Sequence, residues 1–106
     1  MDTADILIRT CDEIFSFLKE MGKSKTKGTI TITQRKEENS IIKCTVNGTE
    51  HSEEIEVGNY IISYKYNFFE ESPEINVSLS GKKGFSGNVI YKKSLTKKND
   101  IHIFLP

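Results

Sequence analysis

The residues that first suggest chemistry are two cysteines and two histidines. Cys44 and His51 flank the dipeptide Asn47-Gly48, which suits a two-residue type I′ hairpin turn because both residues tolerate positive φ. In that register Cys44 faces His51 across the hairpin, as in a Cys–His nucleophile pair or half of a zinc site. Catalysis also needs an oxyanion site and zinc needs two more ligands, but the spacing of Cys11 and His102 brings neither residue near. We therefore predict a non-enzymatic protein without catalytic residues, metal or cofactor.

A glycine- and lysine-rich segment, Gly81 to Gly87, offers a different kind of site. Its backbone N–H groups, together with Lys82 and Lys83, could hold an anionic group. The segment lacks the Gly-Lys-Ser/Thr ending of a P-loop, and no predicted helix follows it. Phe85 lies at the apex of this predicted loop, where there is little local core for an aromatic ring to enter. We predict Lys82, Lys83 and Phe85 as binding residues.

An aromatic stripe occupies one face of the predicted strand from Tyr60 to Phe69. Tyr60, Tyr64 and Tyr66 alternate with other residues along it, so their side chains share one side of a sheet. Such a stripe is either core, with hydroxyl groups at its rim, or a recognition surface, because tyrosine often contributes strongly to binding. Both interpretations remain open, and we include these tyrosines among the candidate binding residues.

The N-terminal segment has the periodicity of an amphipathic helix. Apolar residues recur from Leu7 through Ile14 and Leu18 to Met21 at alternating spacings of four and three, which places them on one helical face. We predict a helix over residues 3–21 that ends at Gly22. This stripe either packs on the chain's own sheet or meets another chain, and we predict Leu7, Ile14 and Leu18 as contact residues for a protein partner or a second copy in a homo-oligomer.

After the helix, the hydrophobic pattern changes to a period of two. Residues 22–28 predict a linker, and residues 29–105 contain seven short apolar runs separated by turn sequences too short to hold a crossover helix. We predict a mainly β fold: an N-terminal α-helix followed by an antiparallel seven-stranded β-sandwich, with a small β-barrel as the alternative. The strand over 49–57 carries four glutamates and should lie at a sheet edge. The length of 106 residues suits one domain.

Charge and composition restrict the partners. The 15 basic and 15 acidic residues balance, so the chain lacks the positive field typical of nucleic-acid binders. The sequence begins without a basic signal-peptide region and contains no apolar run of membrane-spanning length, which predicts a cytoplasmic protein.

These observations favour a binding or assembly module that acts through the N-terminal helix and an exposed sheet face. The alternative is a membrane-lipid-binding or pore-forming protein. In the order of its elements, an amphipathic N-terminal helix, a basic linker and a compact β-sandwich, the chain resembles actinoporin-type pore-forming toxins. That resemblance implies a lipid membrane as the partner. It lies in the order of elements alone and identifies no individual residue.

Overall fold

A computed structural model describes residues 3–35, 39–69, 71, 73–82, 88–95 and 100–104, with backbone alone at 33–35, 39–40 and 100–104. The chain is mainly β with one N-terminal helix, as the sequence predicts. The elements are α1 (Thr3–Ser24), β1 (Gly28–Arg35), β2 (Asn39–Val46), β3 (Glu50–Val57), β4 (Tyr60–Asn67), β5 (Glu74–Gly81), β6 (Val89–Leu95) and β7 (Asp100–Phe104).

The strands form two antiparallel sheets. β1 and β2 pair as a two-stranded sheet, called here the hairpin, and β3 to β7 pair in chain order as a second sheet, called the meander. The meander has two ends, β3 and β7, so it is open, and the small barrel predicted as the alternative is wrong. The glutamate-rich β3 lies at an edge, which confirms that prediction.

The helix extends beyond the predicted end at residue 21. Gly22 remains helical, and Lys25 instead adopts the left-handed conformation with φ 55°. The amide of Thr26 donates to the carbonyl of Met21 at 3.3 Å, which is the longer hydrogen bond of a Schellman ending. A Cβ at Gly22 would lie 2.8 Å from the ring of Phe68, so glycine here permits close packing against the end of β4. The predicted linker over 22–28 is therefore shorter than expected.

The core lies between the meander and a layer that α1 shares with the hairpin. α1 packs mainly on β5 and also contacts β1, β2, β4 and β6. In the predicted sandwich, a second complete sheet would cover this face of the meander. In the structure, the apolar stripe of α1 covers part of that face, and the second sheet is only the two-stranded hairpin. The largest fully buried side chains come from both layers: Leu7, Ile14, Phe15, Leu18, Ile42, Ile62, Tyr64, Tyr66, Ile75, Leu79 and Tyr91.

The predicted hairpin turn at Asn47-Gly48 is wrong. β2 turns back on β1, with Cys44 opposite Ile30, whereas β3 pairs with β4, with His51 opposite Tyr66. The segment between β2 and β3 is instead a corner from one sheet to the other. Gly48 has φ 122° there, a conformation that favours glycine. The amide of Phe68 donates to the carbonyl of Thr49 at 2.8 Å and holds the corner against the end of β4.

Candidate functional site

The predicted contact residues of the helix lie inside the folded chain. Leu7 is 1% exposed, and Ile14 and Leu18 are fully buried. Their side chains pack in the core that α1 forms with both sheets. Of the two roles open to the stripe, packing on the chain's own sheets is therefore the one observed, and these three residues offer no surface to a partner.

The aromatic stripe of β4 is likewise mostly core. Tyr64 and Tyr66 are buried, Tyr60 is half-buried, and Phe68 stacks on Tyr66 with ring centroids 4.6 Å apart. The stripe faces the helix and hairpin, because alternation along β4 sends these rings to the covered side of the meander. A recognition surface at Tyr64 and Tyr66 would need the core to open.

The lysine-rich segment is described only at its start. The ammonium group of Lys82 lies 3.1 Å from a carboxylate oxygen of Glu56, so this predicted binding residue is engaged in a surface ion pair. Its amide also donates to the carbonyl of Asn59. The predicted binding residues Lys83 and Phe85 lie outside the described residues.

One polar cluster surrounds Cys44 where the hairpin meets β3 and β4. The Tyr64 hydroxyl donates to Glu53 Oε2 at 2.6 Å, and it lies near enough to the Cys44 thiol for each group to shift the pKa of the other. His51 Nε2 lies 3.8 Å from the same Glu53 oxygen. The predicted Cys44–His51 pair is therefore not a direct cross-strand pair, although both residues adjoin Tyr64.

A second cluster surrounds Cys11 where α1 meets β6. The Tyr91 hydroxyl donates to Asp12 Oδ1, and the ammonium group of Lys93 lies 3.5 Å from that oxygen. The same ammonium lies 4.7 Å from the centre of the Phe15 ring, a cation–π distance. The helix and the meander are thus joined by a polar link at the rim of an apolar contact.

The electrostatics of both clusters oppose nucleophilic chemistry. Burial raises the pKa of Cys11 to about 12, and the nearby Asp12 carboxylate adds to the effect. Burial also raises the pKa of Cys44 to about 12; the neighbouring Tyr64 hydroxyl lowers this pKa and the Glu53 carboxylate raises it, both by less than burial does. The pKa values of Tyr64 and Tyr91 are raised mainly by burial and then by their carboxylate acceptors. Both thiols stay protonated near neutral pH, whereas the thiolate is the reactive form.

The most distinctive exposed element is the outer edge of β1. Between described residues, β1 makes sheet hydrogen bonds with β2 alone. β2 also contacts β3, which follows it in the chain, and both hairpin strands contact α1. The side of β1 away from β2 is called here the outer edge. Its residues from Gly28 to Gln34 carry no charge, in contrast to the glutamates of β3. Such an edge presents unpaired N–H and C=O groups to solvent.

A shallow groove of about 470 Å³ runs between this strand and α1. Its apolar lining is Phe17 and Met21 of the helix with Ile30 of β1, and its rim carries acidic and polar side chains: Asp12, Glu13, Ser16 and Glu20. A Cβ at Gly28 would lie 3.1 Å from the sulfur of Met21, so helix and strand are in close contact at one end. Sequence alternation locates β1, but the groove depends on where the helix packs.

Comparison with known protein families, characterised proteins and solved structures finds no match to this chain. Among the described residues, no helix is long and apolar enough to cross a membrane. The same residues contain no group of three or more histidine, cysteine or acidic side chains placed to hold a metal ion.

Proposed function

We propose that this chain is a non-enzymatic protein-binding module whose contact element is the outer edge of the hairpin. The observation that carries the proposal is that β1 pairs with β2 alone among the described residues, while its stretch from Gly28 to Gln34 carries no charge and is β-branched from Thr29 to Thr33. An extended segment of a partner can add to such an edge through main-chain hydrogen bonds, which is the β-augmentation mode of peptide recognition. The helix, whose apolar face is buried, acts as the support.

The hairpin is held firmly enough to serve as a template. Ile42, Cys44 and Val46 of β2 are buried in the common core, so β2 fixes the position of β1. On the exposed face of the hairpin, the hydroxyls of Thr29 and Thr45 lie 3.0 Å apart. A strand already fixed in the extended conformation lowers the ordering cost that a partner must overcome.

The proposal is tested by selecting displayed random peptides as long as β1 on the wild-type protein. Binders are then added to isotope-labelled protein, and backbone amide shifts are measured by NMR. We expect the largest changes in β1 and few in β3. Binders that leave β1 unchanged and perturb β3 or the outer face of the meander would overturn the proposal, as would a selection without any binder.

A matched pair of substitutions controls for stability. Ile30→Lys places an inward-pointing charge on β1, a device that natural proteins use to block edges. Ile55→Lys makes the same change at a half-buried isoleucine of β3, and both residues pack against the core. We expect both variants to melt at a similarly reduced temperature, but only Ile30→Lys to lose peptide binding. Equal loss of binding in both variants would show that stability, not the edge, explains the result.

A further inference from the structure

We infer that the segment bound at the β1 edge is an extended stretch of another protein in which apolar residues alternate with lysine or arginine. This inference rests on the proposed function and specifies its partner. The partner strand would lie over the groove between β1 and α1, so its recognition would combine backbone pairing with contacts to the helix.

Sheet geometry determines where the partner's side chains point. Ile30 and Ile32 lie on the side of β1 that faces the core, opposite Cys44 and Ile42 of β2. A strand added beside β1 continues the same pleat, so every second side chain points to the helix side. On that side, the partner's side chains would contact Phe17, which is part of the groove's apolar lining. These positions therefore favour lysine or arginine, whose apolar stems can lie on the lining while their charged ends reach the rim, and the intervening outward positions take the apolar residues.

The rim of the groove supplies the charge preference. Glu13 and Glu20 are exposed on α1 and border the groove together with Asp12. Asp12 already contacts Tyr91 and Lys93, which leaves the two glutamates as the main source of charge preference. Opposite charges across neighbouring strands or along a rim favour binding, and like charges disfavour it. Long basic side chains can reach the carboxylates while their stems cover the apolar lining.

A second copy of this chain fits the groove less well. Two β1 strands paired antiparallel about Thr31 would place Lys27 opposite Arg35 at both ends, and like charges in opposed positions are unfavourable. The inward residues of the second β1 would be Ile30 and Ile32, which offer no positive charge to the glutamates. The chemistry of the rim thus favours a basic partner over self-pairing.

The test uses two synthetic peptides of the same length as β1, one alternating valine with lysine and one alternating valine with glutamate. Binding is measured by fluorescence anisotropy, and β1 shifts are followed by NMR. We expect the lysine peptide to bind about tenfold more tightly, a difference that shrinks as salt rises. The double charge reversal Glu13→Lys and Glu20→Lys should invert the preference. Glu54→Lys, an exposed change on β3, should leave it unchanged.

The outcomes separate this inference from the proposed function. If both peptides shift β1 with equal affinity, strand pairing stands and the basic partner is wrong. If neither peptide binds but selected peptides of another composition shift β1, the partner class is again wrong. If neither these nor selected peptides affect β1, the proposed function itself fails. Concentration-dependent dimerisation in analytical ultracentrifugation, abolished by Ile30→Lys and retained in Ile55→Lys, would identify a second copy as the occupant and overturn the inference.

Discussion

The hairpin and the meander treat their exposed edges in opposite ways. β3 ends the meander with Glu50, Glu53, Glu54 and Glu56, and repulsion between such strands discourages edge-to-edge pairing. β1 ends the hairpin with alternating threonine and isoleucine. Both sheets belong to one small molecule, so solubility alone does not explain why β3 carries four glutamates while β1 carries no charge before its last residue, Arg35. Edge protection therefore varies within one molecule, and the less protected edge, which lies beside a groove, is the one we propose for binding.

The two sheets also differ in how they are joined to α1. The meander meets the helix through buried apolar residues of β5 and through the polar link from Tyr91 to Asp12. The hairpin meets it mainly through apolar contacts such as Met21 against Gly28. Its own polar cluster, at Cys44, joins it to β4 rather than to the helix. The helix is thus the shared support whose loss should affect both sheets.

The largest expected effect of a single substitution comes from a charge placed in that shared support. Leu18→Asp buries a carboxyl group at a fully buried position, so we expect a loss of about 4 kcal/mol or more in the free energy of unfolding. If hairpin and meander depend equally on α1, amide signals of both should disappear together in a urea titration followed by NMR.

Ser16→Asp on the exposed face of α1 is the control and should keep nearly wild-type stability. A Leu18→Asp variant that melts like the wild type would contradict the role of the helix as common core. Separate loss of the hairpin, with the meander intact, would show that the two sheets are unequally supported.

The loss of stability at alkaline pH tests the burial of the thiol in each cysteine cluster. The pKa values of Cys11 and Cys44 in the folded chain, about 12, lie above the ordinary value of 9.0, so the native state binds these protons more tightly. Stability is therefore retained below pH 9.0 and falls as pH rises toward about 12, by up to about 1.4 kcal/mol per pH unit for each thiol. Urea midpoints measured across this range would show the decline.

Single substitutions assign that decline to the two clusters. Cys11→Ala and Cys44→Ala should each remove one thiol's share and make the decline less steep. The raised pKa values of Tyr64 and Tyr91 contribute in the same direction. A free energy of unfolding that stays constant from pH 9.0 upward would show that the thiols are not buried as described.

The smallest expected effect comes from removing single hydroxyl groups. Tyr91→Phe and Tyr64→Phe should each lower the free energy of unfolding by about 1 kcal/mol, the usual contribution of one hydrogen bond. The region that is destabilised should differ between the two variants. Amide hydrogen exchange should become faster in α1 for Tyr91→Phe and in β3 for Tyr64→Phe. Identical exchange patterns in the two variants would mean that neither link acts locally.

Local patterns in the sequence predicted the elements well. The spacing from Leu7 to Met21 specifies a helix with one apolar face, because helical periodicity alone places those residues together. Alternation specifies strands such as β4 and β5, and four glutamates place β3 at an edge. These features depend on interactions between residues close in the chain. The uncharged stretch from Gly28 to Gln34 was visible too, but without knowledge of its neighbours it predicted no site.

What each face contacts depends on how distant parts of the chain pack together. Asn47-Gly48 has the residues of a tight turn, yet β2 pairs with β1 and not with β3. In the observed pairing Ile42 and Cys44 are buried in the common core. A β2–β3 hairpin would have to bury these side chains equally well. From the sequence, the stripe from Leu7 to Leu18 suited either a partner or the chain's own sheets. The sequence by itself determined periodicity and charge, which are local. Which surface covers an apolar face depends on competition among surfaces that are distant in the chain. That competition is resolved only when the elements pack together.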